Sequence, residues 1–165
     1  MVVYLMRHAE ARPGEPDVAR PLTAKGRRQA RQAGRGPFAA ASAEARSVEH
    51  SGLVRSLQTA ELAMRSAGVP RARLRRLAGL APEDDPTVTA RLLATSRSSR
   101  LIVGHNPHLA GLFSLLSGAI GSGSKSEMSS SPPSRAGSET EVASPPTTAA
   151  AAARGRAVTA DQVSA

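Results

Sequence analysis

Cysteine and tryptophan are absent from the 165 residues, and the aromatic side chains amount to one Tyr and two Phe. Without thiols the chain forms no disulfide, builds no thiolate zinc site and offers no cysteine nucleophile. With so few rings it lacks the stacking platforms on which single-stranded nucleic acid is bound. Long apolar runs are missing as well. The opening MVVYLMRHAEA has no basic leader, and its apolar stretch is far too short for a signal peptide or a membrane span, so a soluble cytoplasmic protein with no membrane partner is expected. Acid is scarce in one part only: residues 1–118 hold 18 Lys and Arg against 9 Asp and Glu, whereas residues 119–165 hold 4 of each. The net charge of +9 therefore belongs to the first part. A basic fold selects anionic partners, and the shortage of aromatics makes phosphorylated molecules better candidates than nucleic acid.

The elements alternate along that first part. Val2 to Met6 are apolar without strict alternation, the pattern of a strand covered on both faces. Thr23 can cap a helix through KGRRQARQAG that ends near Gly34 or Gly36. Arg46 to His50 reads as a short second strand, followed by the helix VRSLQTAELAMRSAG with Leu57, Ala60, Glu61 and Met64 at helical spacing and Gly68 and Pro70 as its stop. Leu74 to Leu77 is a weaker third strand. Asp85 and Pro86 open a further helix, and Leu101 to Val103 form a fourth strand. Asn106 and Pro107 then start a helix that buries Leu109, Leu112, Phe113 and Leu116 and ends at Gly118. Strand and helix alternating four times predict an α/β fold, a three-layer sandwich around a mostly parallel sheet with helices on both faces.

Such sheets bind ligands at the carboxyl ends of their strands. His8, with Arg7 before it at the strand exit, follows the first strand, Arg55 lies just past the second and His105 follows the fourth, so these last three, His8, Arg55 and His105, are expected to converge there. Two imidazoles and two guanidinium groups make a site for an anion. A neutral imidazole is a competent nucleophile near pH 7, and guanidinium forks match phosphoryl oxygens while staying charged. Amides at the start of the helix after Asn106 can add donors.

YLMRHAEA, RPLTAKGRRQA, LVRSLQTAEL and VGHNPHLAGL, in this order and spacing, resemble the histidine phosphatase superfamily, specifically its small SixA-type phosphohistidine phosphatase branch. The resemblance covers residues 1–118. It implies that His8 attacks phosphorus and is transiently phosphorylated, that Arg7, Arg55 and His105 hold the phosphoryl group, and that water then releases phosphate with no metal or other cofactor. The implied partner is a phosphohistidine-bearing protein or a small phosphorylated molecule. Larger relatives protonate the leaving group with a separate carboxylate. Glu83, Asp84 and Asp85 are the nearest candidates along this chain, although each also reads as an ordinary loop or cap residue. A reading from another class is a catalytically inactive phosphate-binding or interaction module.

His108, one helical turn from His105, has metal-ligand spacing but no third ligand in view, and reads as a surface histidine. His50 is given no catalytic role. Arg71, Arg73, Arg75 and Arg76, like Arg27, Arg28 and Arg31, read as solvated edges able to steer an acidic substrate. From residue 119 to 165, Ser, Pro, Ala and Thr dominate and hydrophobic periodicity vanishes, so a low-complexity, disordered tail is expected. Relatives continue into at least one more strand. The domain at 1–118 is accordingly expected to be incomplete, its C-terminal strand missing and one sheet edge exposed, whether the tail is natural or the product of a shifted reading frame.

Overall fold

The computed structural model describes residues 1–118 and, beyond them, the backbone of 150–154 and 156–158. In chain order the elements are β1 (Val2–Arg7), α1 (Ala24–Arg35), α2 (Pro37–Glu44), β2 (Ser47–His50), α3 (Val54–Ala67), β3 (Leu74–Arg76), α4 (Pro86–Ala94), β4 (Arg100–Gly104), α5 (His108–Gly118), β5 (Ala150–Arg154) and β6 (Arg156–Val158). They form one sheet in the order β3-β2-β4-β1-β5-β6, whose first four strands run parallel.

Alternation along the two central strands sorts side chains onto opposite faces. Met6, Leu101 and Val103 join Val48, Phe38, Ala60 and Met64 in the core beneath α1, α2 and α3. Val3, Leu5 and Ile102 join Leu93, Leu109 and Leu112 in a second core beneath α4 and α5. The sandwich is therefore three layers deep, as the alternation of elements predicts.

Helix boundaries follow from caps and close contacts. The Thr23 side chain accepts from the Gly26 amide at 2.9 Å, and Asp85 accepts from the Thr87 amide at 2.8 Å with Pro86 next to it. Gly68 closes α3 in the left-handed conformation, at φ 70°. Gly34 lets α1 and α3 approach closely, since a Cβ there would overlap the Ala63 carbonyl. At Gly26 a Cβ would overlap the carbonyl of Glu10, so this glycine seats α1 against the chain leaving β1.

Several expectations are corrected. Residues 37–44 form α2, which has a proline start but an Ala-rich sequence with little contrast between faces. Helix α5 begins at His108 rather than at Asn106. The buried face of α3 is Arg55, Ser56, Thr59, Ala60, Ala63 and Met64, with Leu57 and Glu61 at its margin. The C-terminal strand expected to be missing is supplied from the tail: β5 pairs antiparallel with β1, Val2 opposite Arg154 and Met6 opposite Ala150, and β6 pairs with β5. An open edge asks for backbone donors and acceptors, which a polyalanine run has in full, so apolar periodicity could not reveal this strand. The remaining residues of the expected disordered tail, 119–149, 155 and 159–165, lie outside the described residues. Among the described residues no helix is long and apolar enough to cross a membrane.

Candidate active site

His8 is positioned by its neighbours in the chain. Its amide continues the β1–β4 ladder onto the Gly104 carbonyl at 3.0 Å. The next amide, of Ala9, donates to Thr59 Oγ1 at 3.0 Å, and that hydroxyl donates to the Arg55 carbonyl at 2.6 Å, which ties the strand exit to α3. The amide of Glu10 donates to Gln29 Oε1 at 3.1 Å, and the Glu10 carboxylate accepts from Thr23 Oγ1 at 2.7 Å and pairs with Lys25 at 3.1 Å, which ties it to α1. Two helices thus fix the turn that carries the imidazole.

The ring of His8 lies 2.7 Å through Nδ1 from the carbonyl oxygen of its own neighbour Ala9. A carbonyl accepts only, so Nδ1 carries the proton and Nε2 keeps its lone pair. Burial lowers the pKa of His8, the Ala9 carbonyl partly opposes this, and Arg55, Arg7 and Arg20 lower it further. The ring is therefore neutral at pH 7 and nucleophilic at Nε2.

His105 stands beside it, with ring centroids 4.8 Å apart and a tilt of 51°. It is 1% exposed, and Nε2 lies 2.6 Å from Ser51 Oγ. Burial, helped by the repulsion that its proton would meet from a protonated His8 and from Arg55, pushes its pKa down to about 3, so it too is neutral. Arg55, in the first turn of α3, is buried and points its guanidinium at the loop between β1 and α1. Nη1 donates to the Asp17 carbonyl at 2.8 Å and Nη2 to Asp17 Oδ2 at 2.9 Å. Asp17 Oδ1 accepts in turn from Arg20 at 2.8 Å. Between the two cations, Arg20 contributing more, the Asp17 carboxyl is held below the usual carboxylate range. Arg7 is exposed, and its charge reaches His8.

The structure therefore brings His8, His105 and Arg55 together and puts Arg7 at the rim, as their places after the strands predict. Asp17, Arg20 and Ser51 were not anticipated: Asp17 and Arg20 lie in an irregular loop, and Ser51 differs from any buried serine only by its hydrogen bond to His105. Asp84 and Asp85 are engaged in their own loop, with Asp84 accepting from the Ala81 amide at 2.7 Å. The Leu109 amide at the start of α5 is committed to the His105 carbonyl at 2.8 Å, which removes one donor that sequence had offered to an anion. His108 is a correction, since it is buried, at 2% exposure, rather than at the surface. Its pKa is lowered by that burial, opposed by Asp84, the Gly79 carbonyl and Asp85. Among the described residues no three metal-ligating side chains cluster.

A neutral imidazole with a free lone pair, under the charge of three guanidinium groups at the carboxyl edge of a parallel sheet, is equipped to handle a phosphoryl anion. The comparisons agree with that chemistry. The family model of the histidine phosphatase superfamily (branch 1) matches residues 3–82. No curated protein matches the sequence significantly. Among solved structures, the protein histidine phosphatase SixA complexed with tungstate is 24% identical, with 99% of this chain and 97% of that one covered and a TM-score of 0.71. A provisionally named phosphohistidine phosphatase SixA from Agrobacterium tumefaciens is 23% identical over 99% and 97% of the chains, with a TM-score of 0.65. The ecdysone phosphate phosphatase of Bombix mori in complex with tungstate is 15% identical over 99% and 95%, with a TM-score of 0.63. At such identities the likeness is one of fold. Family and neighbours together support phosphatase activity.

Proposed function

We propose that the protein is a metal-independent phosphatase of the SixA type that works through a phosphohistidine on His8 and acts on phosphohistidine in other proteins. The observation that carries this reading is the His8 ring, locked by the Ala9 carbonyl with Nε2 free and faced by Arg55 and His105. In the first step Nε2 forms a bond to phosphorus while the bond from phosphorus to the leaving group breaks. Arg55 and Arg7 neutralise the charge that spreads over the equatorial oxygens, and His105 donates a hydrogen bond without adding charge. In the second step water attacks phosphorus, the bond from phosphorus to Nε2 breaks, and phosphate departs.

The substrate class follows from the supply of protons. The carboxylate paired with Arg55, Asp17, is held ionised by Arg20 and Arg55, and burial keeps His105 unprotonated, so neither is a ready acid at neutral pH. A phosphoimidazole can take a proton from solvent on its other ring nitrogen, whose ordinary pKa is about 6.5, and then leaves as a neutral imidazole, whereas an ester without an acid must expel a strongly basic alkoxide. This favours nitrogen-linked phosphoryl groups over phosphate esters. The guanidinium groups around His8 also repel a cation from the reacting centre.

The test compares a phosphoramidate with a simple phosphomonoester, each with and without chelator. The reading expects faster turnover of the phosphoramidate and no loss on chelation. A preference for the ester, or dependence on a divalent ion, contradicts it.

A further inference from the structure

The hydroxyl of Ser51 sits 2.6 Å from His105 Nε2, in a pocket where both residues are buried. Which atom carries the proton is settled by counting partners. Ser51 Oγ has one other contact, accepting from the Leu53 amide at 3.4 Å. Its own hydrogen has no acceptor among the described residues except His105 Nε2. Nδ1 of His105 is buried and has no hydrogen-bond partner among the described residues.

If Nε2 were protonated and donated to Ser51, two groups would be left unmet, the Ser51 hydroxyl hydrogen and the Nδ1 lone pair. If Ser51 donates to Nε2, only an Nδ1–H is left. Each buried unmet group costs about 1–3 kcal/mol, so the second arrangement is preferred. It also matches the proposed substrate, since an N–H attracts an oxyanion and a lone pair repels it.

We infer that Ser51 is a positioning residue that holds His105 as the Nδ1–H tautomer, so that the second histidine meets the phosphoryl group as a neutral hydrogen-bond donor. The inference deepens the phosphatase reading, and its kinetic part rests on it. Burial makes the tautomer consequential, because a protonated imidazole would carry both hydrogens and a neutral one carries only one. Ser51 is itself held in place. Its amide donates to Ser56 Oγ at 3.3 Å, and Ser56 Oγ donates to the Val103 carbonyl at 2.7 Å, which joins α3, the Ser51 turn and the end of β4 in one buried network.

Nitrogen-15 spectra of the labelled full chain at pH 7 read the tautomer directly and without turnover, with His105 assigned by the loss of its signals in His105→Gln. We expect Nδ1 in the protonated range and Nε2 in the unprotonated range. Ser51→Ala is expected to shift the population toward Nε2–H and to lower kcat/KM roughly tenfold, about the equilibrium factor of one neutral hydrogen bond. Ser51→Thr, which keeps the hydroxyl, is expected to restore both. An Nε2–H tautomer in the unsubstituted protein, or an unchanged tautomer in a folded Ser51→Ala, overturns the inference. A protein with the Nδ1–H tautomer but no turnover of any phosphate compound overturns the functional reading and leaves the tautomer assignment standing.

Discussion

Replacing Arg55 by alanine separates what this residue does for the fold from what it does for the reaction. In the folded protein its guanidinium is 5% exposed and donates twice to Asp17, whose side chain is 46% exposed. Removing the guanidinium does not strand a buried charge, because the Asp17 carboxylate already reaches water and keeps its 2.8 Å bond to Arg20. The cost to stability is therefore that of a pair whose remaining partner is solvated, about 1 kcal/mol, and not the 3–5 kcal/mol of a buried ion left alone. Catalysis should suffer more. Loss of one preorganised donor to the transferring group costs about 2.7–4 kcal/mol, or roughly 10²- to 10³-fold in kcat. Arg55 also lowers the pKa of His8, so without it His8 holds its proton to higher pH and the acid limb of the rate profile moves upward. Steady-state kinetics on a chromogenic phosphate substrate, beside urea unfolding of the same samples, measure both quantities. A kcat within about fivefold of the unsubstituted protein would refute the role given to Arg55. So would a stability loss of several kcal/mol, which would make the residue chiefly structural.

Acid should weaken the fold earlier than carboxylates alone would make it. His8, His50, His105 and His108 all have lowered pKa values in the folded state, the His105 value about 3. The unfolded chain therefore binds more protons below pH 6.5, and stability falls as pH drops through that value. Each such histidine adds a limiting slope of about 1.4 kcal/mol per pH unit, while Asp and Glu contribute only near pH 4 and below. Urea midpoints at pH 7.5, 6.5 and 5.5 check this, and flat stability over that range would contradict the burial of His105 in neutral form. Gly34→Ala should destabilise by about 1–3 kcal/mol, because its methyl would overlap the Ala63 carbonyl and push α1 off α3. A thermal midpoint at or above that of the unsubstituted protein would show that the helices have room to yield.

Much of the parallel core was legible because the two central strands β1 and β4 are apolar on both faces and each helix carries a start or stop signal. Thr23, Asp85, Pro86 and Gly68 all act where the sequence places them. What stayed hidden depends on partners remote in sequence. The Ala-rich α2 has no polar face to give it a period, and β5 is held by the free edge of β1 rather than by apolar side chains. At the site, His8, Arg55 and His105 were predictable from their places after strands. The pairing of Arg55 with Asp17 and of His105 with Ser51 is set by loops whose course no local pattern encodes. His108 misled for the same reason, since a polar residue in the first turn of a helix looks solvated until the loop carrying Gly79 covers it.

The central claim is that His8 itself carries the phosphoryl group, and trapping that intermediate tests it most directly. The protein would be mixed with a phosphoramidate labelled with phosphorus-32, quenched within a turnover, and digested to locate the label. The account predicts label on Nε2 of His8, stable to alkali and lost in acid, and neither label nor turnover in His8→Ala. An alkali-labile adduct on a carboxylate, or substantial turnover by His8→Ala, would contradict it.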